Sequence, residues 1–312
     1  MHHRRVLILT NCTNRKRGHV SRQLFARSLP KATYEQVSTE WARRLDATAE
    51  RYVADKLYCG RAVTETLQAA ETLSAEVVFL SAGLGLVPQT EQVPAYNLTS
   101  SPGLPDSIGS RLNEPYSPSQ WWQALQNARG ARNALADTVA DRDPALILAV
   151  LPASYLGMVG ADLAGLPAPV RARLRIIGPR RAEEVPEGLR QHWLPYDWRL
   201  DSPKTGFNGT TADFPHRALR HFATELPGGG VNFSFERHQK LVETALSPFK
   251  PYVPTRGAPA SDEEVLGVIR RLWKQCNGNR SRVLRELRAN SGIACEQSRF
   301  RRLADRFEGK LI

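Results

Sequence analysis

The chain reads as an α/β protein: a mostly parallel sheet with helices on both faces, followed by a small all-α helix-turn-helix unit. Three observations predict this. Short apolar runs of strand length alternate with longer stretches whose apolar residues recur at helical spacing. Glycine-rich or polar turns follow the predicted strands. Pro248, Pro251, Pro254 and Pro259 then crowd into a short stretch that separates the α/β part from a basic helical end. The expected division is an α/β domain over 1–246, a Pro-rich linker over 247–260 and a three-helix unit over 261–312.

The elements follow in order. Val6–Thr10 is an apolar run typical of a buried strand. Val37, Trp41, Leu45 and Tyr52 predict a helix over 34–54, and residues 61–74 predict another. Glu76–Ser81 is a second strand, ending in the glycine-rich Ser81–Leu86. Ser117, Pro118 and Gln120 predict a helix start, with Ser117 as N-cap, Pro118 at the first position and Gln120 closing a capping box. Residues 145–151 and 174–177 read as further strands. The irregular stretches 88–118 and 195–215 are long for a compact domain, which marks them as functional loops. Past the prolines, Ser261 and Glu264 form a second capping-box pattern before a helix carrying Val265, Ile269, Leu272 and Trp273. Helices over about 280–289 and 296–307 complete the unit.

Composition limits what such a protein does. Its 312 residues hold 41% hydrophobic residues, enough for a buried core. The sequence has no apolar run of about 18 residues, so no membrane helix is expected. The first apolar stretch, ended by Asn11, is too short for a secretory signal, and a cytoplasmic location is the expectation. Cys12, Cys59, Cys276 and Cys295 are widely spaced and form no CxxC, which supports neither a disulfide framework nor a zinc site. His216 and His221 stand five apart, not at metal-pair spacing, and no phosphate-cradling GxxxxGK[ST] occurs, so no metal and no cofactor is expected. Charge is the strongest bulk signal. Lys and Arg number 43 against 31 Asp and Glu, a net +12, which favours a polyanionic partner such as DNA, with RNA the second choice.

Asn11–Lys16 directly follows the first strand, where ligands of parallel sheets bind. Cys12 reads as nucleophile, ligand contact or packing residue, and Arg15 and Lys16 as phosphate binders or a solvated basic turn. The second signal is the stretch 80–99, LSAGLGLVPQTEQVPAYNLT, whose Ser81, Gly83 and Gly85 let backbone approach a ligand. A third lies in 203–213, where Phe207 could stack, Asn208 read a base edge, Lys204 bind phosphate and Asp213 serve as general acid or base, or as a helix N-cap.

The stretch 80–99 resembles the signature of the bacterial YaaA-like superfamily, a strand ending in a Ser-x-x-(Tyr/Leu)-Gly-Leu turn followed by a Pro-(x)-Tyr element. Cys12 and Lys16 are similar to its Cys-x-x-x-Lys element, and Ala149–Leu156, with Ser154 and Tyr155, to its third. The resemblance spans about residues 5–160. It implies nucleic-acid biology: DNA binding, DNA protection and glycosidic-bond chemistry on modified bases. Asn277–Leu287 resembles the second helix of a Fis-like helix-turn-helix, which implies that the following helix enters the major groove.

The expected function is therefore a DNA-binding enzyme that flips a modified nucleobase and excises it by glycosylase-type chemistry, in surveillance or defence against foreign DNA. Asn11, Cys12, Lys16, Ser81, Gly83, Gly85, Tyr96, Asn97, Ser154, Tyr155, Phe207 and Asn208 are the expected base-binding set. Asp55, Glu91 and Asp213 are the candidate catalytic carboxylates, one of them needed because positive charge develops on the sugar. Arg15, Lys204, Arg280, Arg282, Gln297, Ser298, Arg299, Arg301 and Arg302 are the expected DNA contacts. A non-catalytic DNA-binding regulator that senses a nucleotide and an RNA base-modifying enzyme are the alternatives.

Overall fold

The computed structural model describes residues 6–226, 230–252 and 257–308, the side chain of Ala289 excepted. The chain divides into two compact units, residues 1–252 and 253–312. The first unit is α/β. Strands β1 (Val6–Asn11), β2 (Tyr52–Val53), β3 (Glu76–Ser81), β4 (Gly85–Pro88), β5 (Gln92–Val93), β6 (Leu146–Val150) and β7 (Leu174–Ile177) are joined by nine α-helices and several short 3-10 turns among the described residues. The α-helices are α1 (Tyr34–Asp46), α2 (Ala54–Leu57), α3 (Arg61–Leu73), α4 (Pro118–Ala128), α5 (Ala134–Arg142), α6 (Ala153–Ala164), α7 (Ala168–Arg171), α8 (Phe214–Glu225) and α9 (Phe235–Leu246).

The main sheet has the order β4-β3-β1-β6-β7. β3, β1, β6 and β7 run parallel, and β4 returns antiparallel along β3. From β1 the chain steps out to β3, then crosses back to β6, so the order reverses between β1 and β6. Ligands of open α/β sheets bind at the carboxyl ends beside such a reversal. α1, α4 and α6 pack together, and α3 packs with α8, so the sheet is covered on both faces. Val6–Leu9 and Leu146–Val150 are accordingly buried without alternation, as parallel strands under two helical layers require.

Local chemistry corrects two expectations. The helix predicted over 34–54 ends at Asp46; residues 52–53 leave it to pair with Gln92–Val93 as β2. Ser117 does cap α4 through Gln120 N, but the reciprocal half of the capping box is missing: Tyr34 Oη takes the Ser117 N–H at 2.6 Å. The glycine-rich turn after β3 also leads into a strand, β4, which the sequence did not suggest.

Residues 247–252 belong to the first unit, where Tyr252 N donates to the Trp198 carbonyl at 3.0 Å. Residues 253–256 of the expected linker, Pro254 among them, lie outside the described residues. In the second unit α10 (Asp262–Gln275), α11 (Arg280–Asn290) and α12 (Gln297–Glu308) enclose a core of Val265, Ile269, Val283, Leu287, Phe300 and Leu303. Here the Ser261–Glu264 capping box forms in both directions. Among the described residues, no helix is long and apolar enough to cross a membrane.

Candidate active site

The carboxyl ends of β1, β3 and β6 bring together a set of buried and half-buried polar side chains. Cys12 follows β1, Ser81 ends β3, and Tyr155 stands in the first turn of α6 after β6. The turn after β3 is fixed from one face of the sheet by two indoles: Trp41 Nε1 donates to the Gly83 carbonyl and Trp121 Nε1 to the Ala82 carbonyl, both at 2.7 Å. Gly83 must be small, because a Cβ there would lie 2.5 Å from the Tyr96 ring. Tyr96 is thereby seated directly against the turn.

The hydrogen bonds around Tyr96 have a direction. Ser81 Oγ accepts the backbone N–H groups of Gly83 (3.2 Å) and Leu84 (2.9 Å). Both lone pairs are then used, so the Ser81 hydroxyl donates to Tyr96 Oη at 2.6 Å. Tyr96 passes its own proton toward Tyr58 Oη (3.3 Å) or Cys12 Sγ (3.5 Å). Tyr155 Oη lies 3.4 Å from the same sulfur. Burial pushes all three tyrosines up from their ordinary range, so they stay neutral hydroxyl groups at any ordinary pH.

Lys16 completes the cluster. An isolated bridge pairs its backbone with that of Tyr58. Its Nζ lies 4.0 Å from the Tyr96 ring centroid and donates to the Thr13 carbonyl at 3.1 Å. Burial lowers its pKa; the neighbouring sulfurs of Cys12 and Cys59 act in the opposite sense and do not cancel it. Asn11 adjoins: its Nδ2 donates to the Cys12 carbonyl, while its buried Oδ1 has no partner among the described residues.

A cavity of about 220 Å³ opens against Lys16, walled by Asn14, Asn97, Leu98, Thr99, Leu104, Pro105 and Asp106. Asn97 is held there by its backbone, which bonds to Leu24 and Ala26. A larger groove of about 570 Å³ runs between α1 and α4, but none of the cluster's residues lines it.

The structure thus gathers Asn11, Cys12, Lys16, Ser81, Gly83, Tyr96, Asn97 and Tyr155 from the expected set, with Ser154 exposed beside Tyr155. Gly85 instead opens β4 with φ +81°, and a Cβ there would meet Gln126. Tyr58 and Asp106 belong to the site and were not anticipated. Neither carries a pattern of its own: an isolated bridge brings in Tyr58, and an irregular loop brings in Asp106.

None of the three candidate carboxylates lines this cavity. Asp55 lies on α2 beside Lys56, and Glu91 is an exposed turn residue whose carbonyl holds Ala54 N. Asp213 is part of a buried ionic network on α8. Its Oδ1 accepts from Thr210 N and from Arg217 Nε at 2.7 Å. It makes no side-chain cap to α8. Arg217, fully buried, also pairs with Asp201 at 2.9 Å and donates to the carbonyls of Phe207 and Thr210. Arg180 engages the other oxygen of Asp201. This network fastens loop 204–213 to α8. The Phe207 ring is buried against His221 rather than open for stacking, the Asn208 carbonyl accepts from Arg61, and Lys204 is exposed. Arg15 is exposed at the mouth of the turn.

In the second unit the expected DNA contacts split. Arg299 and Arg302 both pair with Asp262, at 2.7 and 3.1 Å, and Arg280 pairs with Asp305 and Glu308. Arg282, Gln297, Ser298 and Arg301 are exposed. No family model, no curated protein and no solved structure matches this chain.

Proposed function

We propose that this protein is a DNA-acting enzyme that cleaves the N-glycosidic bond of a modified base after drawing the nucleotide out of the duplex. The observation that carries the reading is the cavity at the strand ends. It combines amide and hydroxyl groups suited to a base edge (Asn14, Asn97, Thr99), a carboxylate (Asp106) and an amine (Lys16). Asp106 takes the role sought for Asp55, Glu91 or Asp213. Glycosidic cleavage builds positive charge on the sugar, and a carboxylate in the cavity wall stabilises it. Its Oδ1 accepts the Arg27 N–H at 3.1 Å, which holds the carboxylate in place. The net charge of +12, the exposed arginines of the helical unit and the resemblance of residues 5–160 to the YaaA-like superfamily point the same way.

The test is incubation with duplexes that carry different base modifications, in EDTA and without nucleotide, followed by assay of free base and of alkali-labile sites. Wild-type protein releases a base from one or more modified duplexes and leaves ordinary DNA intact. Asp106→Asn lowers release at least about 100-fold, in the range seen when a charge-stabilising group is removed, with unchanged duplex affinity. Binding of every duplex with release from none leaves a non-catalytic DNA-binding regulator as the better description.

A further inference from the structure

We infer that Lys16 is a covalent nucleophile, so that the protein has a second activity: it opens abasic sites through a lysine imine and cuts the strand. The inference rests on the reading of the site as a base-releasing one. Three features of geometry support it. The amine borders the cavity. Its described polar contact is a single hydrogen bond, to the Thr13 carbonyl, and no ion pair is described for it. It is bounded by the Tyr96 and Tyr58 rings and by the sulfurs of Cys12 and Cys59 rather than by an acid side chain, Asp106 standing in the cavity wall. A lysine placed to bind phosphate stays hydrated and charged. One withdrawn from water into a cavity wall loses its proton more readily and presents a lone pair.

The step balances without a cofactor. The Lys16 lone pair attacks C1′ as the C1′–N bond breaks, and the base leaves with that electron pair. One of the two amine protons passes to the departing base. The nitrogen lone pair then forms the C1′=N bond. O4′ leaves C1′ with its electron pair and takes a proton from solvent, which gives a protonated imine. A C2′ proton goes to water, the C2′=C3′ bond forms, and the 3′ phosphate departs with its bonding pair. Hydrolysis of the imine returns the amine. An abasic site already formed enters the same sequence through its aldehyde, losing water as the imine forms.

The second route allows a test that does not depend on which base is excised. Full-length protein is incubated with duplex DNA containing a preformed aldehydic abasic site, with and without sodium borohydride. The expected result is a borohydride-dependent protein–DNA adduct, a nicked strand when borohydride is omitted, and mass mapping of the adduct on the wild-type protein to Lys16. Lys16→Met reduces the adduct at least about 100-fold, while its thermal midpoint shows that the fold is retained. Absence of adduct and nick overturns the inference whatever the base-release assay shows; base release without an adduct leaves the proposed function standing with water as the nucleophile. An adduct mapped to another residue also overturns it.

Discussion

At the scale of the residue, Tyr96 is the pivot, and Gly83 decides where it sits. The Tyr96 hydroxyl links Ser81, Tyr58 and Cys12, and its ring is the surface on which the Lys16 amine rests. A methyl group at Gly83 would meet that ring at 2.5 and 2.8 Å, and a fully buried ring has no free space to swing into. Gly83→Ala therefore costs about 1–3 kcal/mol of stability, the usual range for overpacking, and moves the aromatic wall beneath the amine. Urea unfolding reads the first effect, and the yield of borohydride adduct on abasic DNA reads the second. A variant with wild-type stability and adduct yield would mean that Tyr96 is not held by this contact. Cys12, Lys16 and Ser81 are legible in the sequence because small or polar residues just past apolar runs fall at the carboxyl end of a sheet, whereas Tyr96 and Tyr155 enter through the resemblance of residues 80–99 and 149–156 to the YaaA-like signature. Asp55, Glu91 and Asp213 stand out in the sequence only by their charge, and charge alone does not place a residue. Asp213 shows why: what fixes it is Arg217, four residues on, which becomes its partner only once α8 is buried.

At the scale of the element, α8 carries a pH response that the sheet does not. His216 and His221 lie on its buried side. Burial lowers the pKa of His216 from 6.5 to about 4, with Asp213 acting against the shift and Arg217 with it. Burial lowers that of His221 from 6.5 to about 4 as well, and its Nδ1 meets Tyr196 Oη at 3.0 Å. Both His216 nitrogens lack a hydrogen-bond partner among the described residues, so a proton gained there finds no acceptor. The folded state thus resists protonation that the unfolded chain accepts. The stabilisation is fully present above pH 6.5 and is lost as the pH falls toward 4, up to about 3 kcal/mol for each histidine. Urea midpoints measured from pH 7.5 to 4 should fall through that window. His221→Gln should reduce the fall, because glutamine does not titrate there. A flat profile between pH 6.5 and 5 would contradict the burial of both rings. The helix itself was legible only around Pro215, because its buried face mixes Arg217 and two histidines among Ala218, Leu219 and Phe222, which blurs the apolar stripe. The apolar runs of Val6–Asn11 and Glu76–Ser81 fall close to where the pattern predicts them, and Leu174–Ile177 does so despite its buried Arg175.

At the scale of the whole molecule, charge is divided unevenly between the two units. Residues 261–312 hold 12 Lys and Arg against 7 Asp and Glu, a net +5 in one sixth of the sequence. Part of that charge is spent on the unit's own fold, since Asp262 neutralises Arg299 and Arg302 on α12 and Asp305 and Glu308 engage Arg280. Of the expected contacts, Arg282 and Arg301 are exposed arginines with no ion pair among the described residues, so they are able to displace counterions from a phosphate backbone. Each phosphate neutralised steepens the dependence of log affinity on log salt by about 0.9. Removal of residues 261–312 should weaken duplex binding and make that slope shallower. Arg301→Ala and Arg282→Ala should each lower the slope by about 0.9 and change the unfolding free energy by no more than about 0.5 kcal/mol, as exposed substitutions usually do. Arg299→Ala should behave differently, because the Arg299 side chain also donates to the Ala260 carbonyl. Its loss loosens the start of α10 and should lower the unfolding midpoint of the unit more than it changes the salt slope. Fluorescence anisotropy across a salt series, paired with thermal unfolding of the same variants, separates the two groups. Equal slopes for the full chain and the truncated one would assign duplex binding to the α/β unit alone.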